Sequence, residues 1–239
     1  MAADPLISVK GLVRAFGATR VLDGVDLDVA PGEAVALLGA NGAGKTTVLK
    51  ILATVLRPTR GTVTIAGHDC ARDPDAVRPL VGLVGHGAHV YEELTALENL
   101  TFWTTLTARP LAAGALVDAL GEVDLDHAAH ARVRTFSAGM KRRLALARVR
   151  VARPRVLLLD EPFAGLDQRA RKWLDGVLEA HRAGGGALVM ATHGLARDLA
   201  AVDRLAILAG GRVALDTPRA GLGPDDIQRL YAAHAEEWP

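Results

Sequence analysis

Gly39-Ala40-Asn41-Gly42-Ala43-Gly44-Lys45-Thr46 fills every position of the pattern Gly, four residues, Gly, Lys, then Ser or Thr. An apolar run at 34–38 leads into it. Behind it Val48, Leu49, Ile51, Leu52, Val55 and Leu56 recur with helical spacing until Pro58 stops the pattern. The glycine-rich stretch therefore lies between a buried strand and a helix, which is the context a phosphate-binding loop requires. Glycines allow backbone N–H groups to turn inward around phosphate oxygens, and the helix N-terminus adds its dipole. On this reading Gly39, Ala40, Asn41, Gly42, Ala43, Gly44, Lys45, Thr46 and Thr47 bind the nucleotide. Lys45 reaches the β- and γ-phosphates, and the Thr46 hydroxyl coordinates Mg²⁺. The competing reading is a chance glycine-rich turn.

Residues 21–29 alternate loosely and break at Pro31-Gly32, and 61–67 reads as a further, antiparallel strand close to the N-terminal ones. Positions 94–131 are rich in Ala and Leu, with breaks near Pro110 and Gly121, and read as a helical insertion. From Val156 strand and helix patterns alternate again: strand 156–159, helix 169–181, strand 187–191, helix 195–202, then strands 205–208 and 213–215 around Gly210-Gly211. Such alternation predicts a largely parallel sheet with helices on its faces.

The chain has 239 residues. At about 150 residues per domain this is roughly 1.6 domains, hence one large domain or one with an insertion. Half of the residues are hydrophobic and 23% charged, enough for a core. Lys plus Arg number 28 against 27 for Asp plus Glu, a net charge of +1 that lacks the basic signature of a nucleic-acid binder. The single Cys70 excludes an internal disulfide and suits a reducing compartment. No apolar run approaches the ~18–20 residues needed to cross a bilayer, and the start lacks the features of a signal peptide. A soluble, cytoplasmic protein is the expectation.

A second chemical element is the apolar strand 156–159 followed by Asp160-Glu161-Pro162. It places two acids at the carboxyl edge of the sheet, where ligands of α/β folds bind. Asp160 is the candidate to hold Mg²⁺, and Glu161 to orient or deprotonate the water that attacks the γ-phosphate. Alternatively, the pair is an ordinary acidic helix N-terminus.

With these motifs in order, the chain resembles the nucleotide-binding subunit of an ABC transporter over essentially its whole length. Phe136-Ser137-Ala138-Gly139-Met140 stands where that family keeps its signature, usually Leu-Ser-Gly-Gly-Gln, of which Ser137 and Gly139 remain. Ser137 can cap the following helix, and the Gly139 amide can approach a γ-phosphate bound by an opposite subunit. Ala164-Gly165-Leu166-Asp167 resembles the D-loop, and His193 resembles the switch histidine, with an ordinary strand-end histidine as the alternative. Phe16 aligns with the adenine-stacking aromatic, or is a core residue. His86 takes the place of the usual Gln near Mg²⁺ in Val81-Gly82-Leu83-Val84-Gly85-His86. Together with Leu94-Thr95-Ala96-Leu97-Glu98-Asn99-Leu100 and Glu161-Pro162-Phe163, this segment resembles one branch, the ATP-binding subunit of the haem exporter used in bacterial cytochrome c maturation. The alternative is a private substitution in a generic exporter ATPase. Haem ligation by His86 and His89, or metal binding by His127 and His130, has weaker support: a cytoplasmic ATPase need not touch its cargo, and no acid or Cys partner of matching spacing accompanies the second pair.

The resemblance implies an α/β fold: a P-loop NTPase with a RecA-like core, an N-terminal antiparallel β portion and an inserted helical subdomain. Residues 1–86 and 151–239 form the core with its β portion, and 87–150 the helical subdomain. It further implies hydrolysis of ATP with Mg²⁺, with Glu161, His193 and Lys45 catalytic and Thr46, Asp160 and His86 at the metal. The implied partners are integral membrane transporter subunits and a second copy of the chain with ATP sandwiched between, with no nucleic acid and no direct membrane insertion. The implied place is the cytoplasmic side of the plasma membrane, peripherally held. A drug, lipid or polysaccharide exporter is the nearest rival, and a soluble ATPase acting on ribosomes or DNA a more distant one.

Overall fold

The computed structural model describes residues 4–85, 90–107, 109–194, 198–199 and 201–235. These divide into two compact units, the first made of Met1–Leu83, Arg155–Pro162 and Glu179–Pro239, the second of Val84–Pro154 and Phe163–Leu178.

The first unit holds two sheets. In the four-stranded one, β1 (Ile7–Phe16) lies between β2 (Thr19–Val29) and β4 (Arg60–Ile65), antiparallel to both, and β5 (His68–Asp69) pairs with β4. The second sheet has the order β10-β9-β3-β8-β7-β6. Its central strands β3 (Ala34–Leu38), β7 (Val156–Asp160) and β8 (Ala187–Ala191) are buried at every position. Their near-continuous apolar sequences suit a parallel sheet covered on both faces, and β9-β3-β8-β7 pair in parallel. β9 (Arg204–Ala209) forms an antiparallel hairpin with β10 (Arg212–Pro218), whose alternating exposure is that of a solvent-facing edge. β6 (Val81–Val84) is the opposite edge.

Between the sheets runs α1 (Lys45–Leu52), packed on β7 and β8 to one side and β4 to the other, with Val48, Leu49, Ile51 and Leu52 buried. Strands of both sheets thus lean on one helix, and the core joins Ile7, Leu22, Leu37, Leu158 and Val189 around it. Cys70 belongs to this core, and burial pushes its thiol up to about 12. The short α2 (Pro74–Val77) follows β5, and α7 (Pro224–Ala235) packs on β9.

The second unit is helical, as the insertion at 94–131 predicts. α3 (Ala96–Leu106) opens with a capping box between Thr95 and Glu98, and α4 (Ala113–Gly121) ends at the expected glycine. Both pack on α5 (Ala138–Ala152). Leu100, Leu116, Leu120, Leu125, Val133 and Leu144 form its core. Residues 168–178 of α6 (Gln168–Ala183) also belong to this unit, and Trp173 on them packs against that core. Of the helix expected at 195–202, positions 195–197 and 200 lie outside the described residues, and 198, 199 and 201 are in turns and not in a helix. Among the described residues no helix is long and apolar enough to cross a membrane.

Leu37 is fully buried on the central strand, so Leu37→Ala should cost about 2–5 kcal/mol of stability. Urea denaturation followed by circular dichroism measures it.

Candidate functional site

The loop at 39–44 connects β3 to α1 at close quarters. A Cβ on Gly39 (φ +149°) would lie 2.4 Å from the Leu208 carbonyl oxygen, and one on Gly44 (φ +105°) 2.5 Å from Leu22 Cδ2. Only glycine fits where the loop passes β9 and β2. Gly44 is also the N-cap of α1 and offers no side chain to its first amides, which leaves these donors for an anion. Lys45 is buried and wraps back along the loop, its Nζ donating to Gly39 O at 2.6 Å and Ala40 O at 3.1 Å. Burial holds its ammonium below the ordinary lysine value, against the opposing pull of the Glu161 and Asp160 charges.

Thr46 Oγ1 donates to Asp160 Oδ2 at 2.7 Å. A hydroxyl and a carboxylate side by side at the phosphate loop are hard oxygen donors of the kind Mg²⁺ takes, so these residues fit the ion the sequence implies. Asp160 ends β7 in a buried position, and Glu161 comes directly after it with φ +50°. A non-glycine residue in this region costs about 1–3 kcal/mol and marks a place where the fold directs a side chain. Glu161 is anchored through its N–H to Ala191 O at 2.9 Å. The turn after it and the start of α6 at Gln168 rule out the reading of the acid pair as a helix N-terminus.

The carboxylate of Glu161 meets the end of β8. His193 approaches Glu161 Oε1 with its backbone N–H at 2.9 Å and its Nδ1 at 2.7 Å. In the tautomer that carries its proton on Nδ1, the ring donates to this oxygen. Thr192 lies behind: its hydroxyl accepts Gly194 N–H at 3.0 Å and stands 3.3 Å from both Glu161 Oε2 and Asp198 Oδ2. Its one proton serves one of these carboxylates at a time. Thr192 has no part in the sequence reading. Its only sequence signal is a hydroxyl between a buried strand and His193.

The first unit thus brings together Gly39, Ala40, Lys45, Thr46, Asp160, Glu161 and His193. Asn41, Gly42, Ala43 and Thr47 complete the loop and the first turn of α1. Phe16 is exposed at the end of β1, so it is not a core residue, and the Arg14 guanidinium covers its ring at 4.4 Å. Ser137 and Gly139 belong to the second unit, where Ser137 caps α5 by accepting Met140 N–H at 3.2 Å. His86, with His89, lies outside the described residues. Trp103 is packed with Tyr91 and Phe102 and under the guanidinium of the buried Arg148.

A phosphate loop between a parallel strand and a helix, with an acid pair at the end of β7, one strand beyond β8 in the same sheet, defines a P-loop NTPase. Residues 22–164 match the ABC transporter family, and the chain belongs to it. It is 43% identical over 192 residues to the cytochrome c biogenesis ATP-binding export protein CcmA of Bordetella bronchiseptica, covering 80% of this chain and 84% of that protein. It is 39% identical over 212 residues to the daunorubicin/doxorubicin resistance ATP-binding protein DrrA of Streptomyces peucetius, covering 87% of this chain but only 63% of that relative's length. Among solved structures it resembles the dimeric ATP-binding cassette MJ0796 in a post-hydrolysis state bound to ADP and Pi, with TM-score 0.80 and 25% identity over 90% of this chain and all of that one.

Replacing Ser137 by Ala removes the α5 cap and should cost about 1 kcal/mol, read as a lowered urea midpoint. Ser137→Asp, which restores an accepting oxygen, should recover most of it.

Proposed function

We propose that the chain is the ATP-hydrolysing subunit of an ABC transporter, doing work through separate integral membrane subunits from the cytoplasmic side of the membrane. The observation that carries this reading is the cluster of Lys45, Thr46, Asp160, Glu161 and His193 at one edge of one sheet. The glycine-rich loop and the amides of α1 cradle the phosphates, and Lys45 adds a cation anchored on that loop. Thr46 and Asp160 would hold Mg²⁺, and the family resemblance adds His86 as a further candidate ligand. When bound there, the ion offsets charge on the phosphates and helps hold them for in-line attack. Glu161 orients the attacking water and draws its proton. His193 holds that carboxylate in place and reaches the γ-phosphate. Phe16 presents an exposed ring to adenine. Catalysis on this scheme is positioning and charge stabilisation, which suits phosphoryl transfer.

The full site takes two copies of the chain, head to tail, with Ser137 and Gly139 of one capping the ATP held by the loop of the other. The dimeric state of MJ0796 supports this arrangement. Lys45→Ala should lower ATP hydrolysis by at least about 10²-fold. Glu161→Gln keeps shape and hydrogen-bonding reach but loses the carboxylate, so with Mg-ATP it should sediment as a dimer that Ser137→Arg splits. Near-normal turnover of the Lys45 variant, or a Glu161→Gln protein that stays monomeric at saturating ATP, overturns the scheme.

For the branch, we read the chain as the ATPase of the haem exporter of cytochrome c assembly. Its support is the Gly85-His86 segment with Leu94-Thr95 and Glu98-Asn99-Leu100, and similarity covering 84% of the cytochrome c biogenesis relative. The drug-exporter reading has the daunorubicin relative in its favour, which covers 87% of this chain. Deleting the gene should abolish covalently haem-stained c-type cytochromes on a denaturing gel and leave drug tolerance unchanged. The reverse result assigns it to drug export.

A further inference from the structure

In the helical unit one cluster of charges is built around a residue with an unusual backbone. The helix α4 closes with the Leu125 N–H donating to Leu120 O at 2.9 Å and the Asp124 N–H to Gly121 O at 3.1 Å. This is the Schellman pattern, whose left-handed position is most often glycine. Here it is Asp124, at φ +57°. Glycine would meet that conformation with less strain, so the carboxylate has a use beyond closing the helix.

Its contacts show which. Asp124 Oδ1 lies 3.0 Å from Arg169 Nη2 on α6, and Oδ2 3.7 Å from Arg143 Nη1 on α5. Arg143 turns its other terminal nitrogen, Nη2, onto Asp167 Oδ2. The second oxygen of Asp167 accepts the Ala170 N–H at 2.8 Å. That amide, and after it Arg143, holds the Asp167 carboxyl below the usual carboxylate range. Charges of alternating sign therefore run from Arg169 through Asp124 and Arg143 to Asp167. Three of them, with Glu122 and Trp173, line a cavity of about 210 Å³. Asp167 is the last residue of Ala164-Gly165-Leu166-Asp167, the segment that resembles the D-loop, and Arg143 stands on the helix that Ser137 caps.

We infer that Asp124 is a positioning residue for ATP hydrolysis: by holding Arg143 and Arg169 it fixes the Arg143–Asp167 pair, and so sets residues 164–167 against the helix behind Ser137. This role rests on the proposed ATPase activity. Exposed ion pairs add little to overall stability, so the effect is on geometry and not on folding. It is also screened by salt.

Asp124→Asn and Asp124→Gly both tolerate the left-handed backbone and remove the charge. In the full chain each should keep its melting temperature within about 2 °C and its KM for ATP within about twofold, while kcat falls about three- to tenfold. Amide exchange of residues 164–167, measured without nucleotide, should become faster. Raising NaCl from about 0.05 to 0.5 M should narrow the kcat gap between wild type and variants. Wild-type kcat in both variants overturns the inference, as does unchanged exchange at 164–167. A fall in kcat together with a fall in melting temperature overturns it too, since Asp124 then serves folding. A wild-type chain without ATPase activity overturns the proposed function itself, and this role with it.

Discussion

The register between β3, β8 and β7 is the constraint on which the site depends. Leu37 and Asp160 both stand opposite Ala191, one from each side. Three parallel strands therefore run out at the same level, and the segments that leave their ends meet: the phosphate loop after β3, Glu161 after β7, Thr192 and His193 after β8. A slip of one residue in any pairing would turn the buried side chains of that strand to the opposite face. The apolar residues that fill both faces of these strands lock the register, and so fix the chemistry at their ends.

Within that frame the polar groups are held by one another. Lys45 bonds carbonyls of its own loop, Thr46 bonds Asp160, and Glu161 is gripped by the backbone and ring of His193. Buried polar groups without partners are costly, and here each partner is itself a site residue. The main-chain turn at Glu161 adds a local strain that the surrounding bonds sustain.

The parts of this arrangement that are local in sequence were legible there. The phosphate loop needs consecutive residues between a strand and a helix, and β7 announces itself as an unbroken apolar run ending in acids. Ser137 as a cap needs only its own helix. Thr192 was not legible, because its contact with Glu161 arises from the pairing of β7 with β8 and from no spacing along the chain. Phe16 could not be assigned from its side chain, since hydrophobicity is the same for a core ring and for an exposed one. The chain of Asp124, Arg143, Arg169 and Asp167 joins three helices, and only the fold brings its members together. In sequence Asp124 is one more acid after a helix.

Cys70 carries a practical consequence. It is the chain's single cysteine, enclosed in the core with its thiol pushed up to about 12. At neutral pH essentially no thiolate forms there, so alkylating reagents pass the native protein by. The natural sequence is therefore already a silent background for site-directed labelling. A cysteine introduced on the exposed surface of either unit would be the one position to take a fluorophore or spin label, and distances between such labels could track the molecule through its cycle with no native residue removed first.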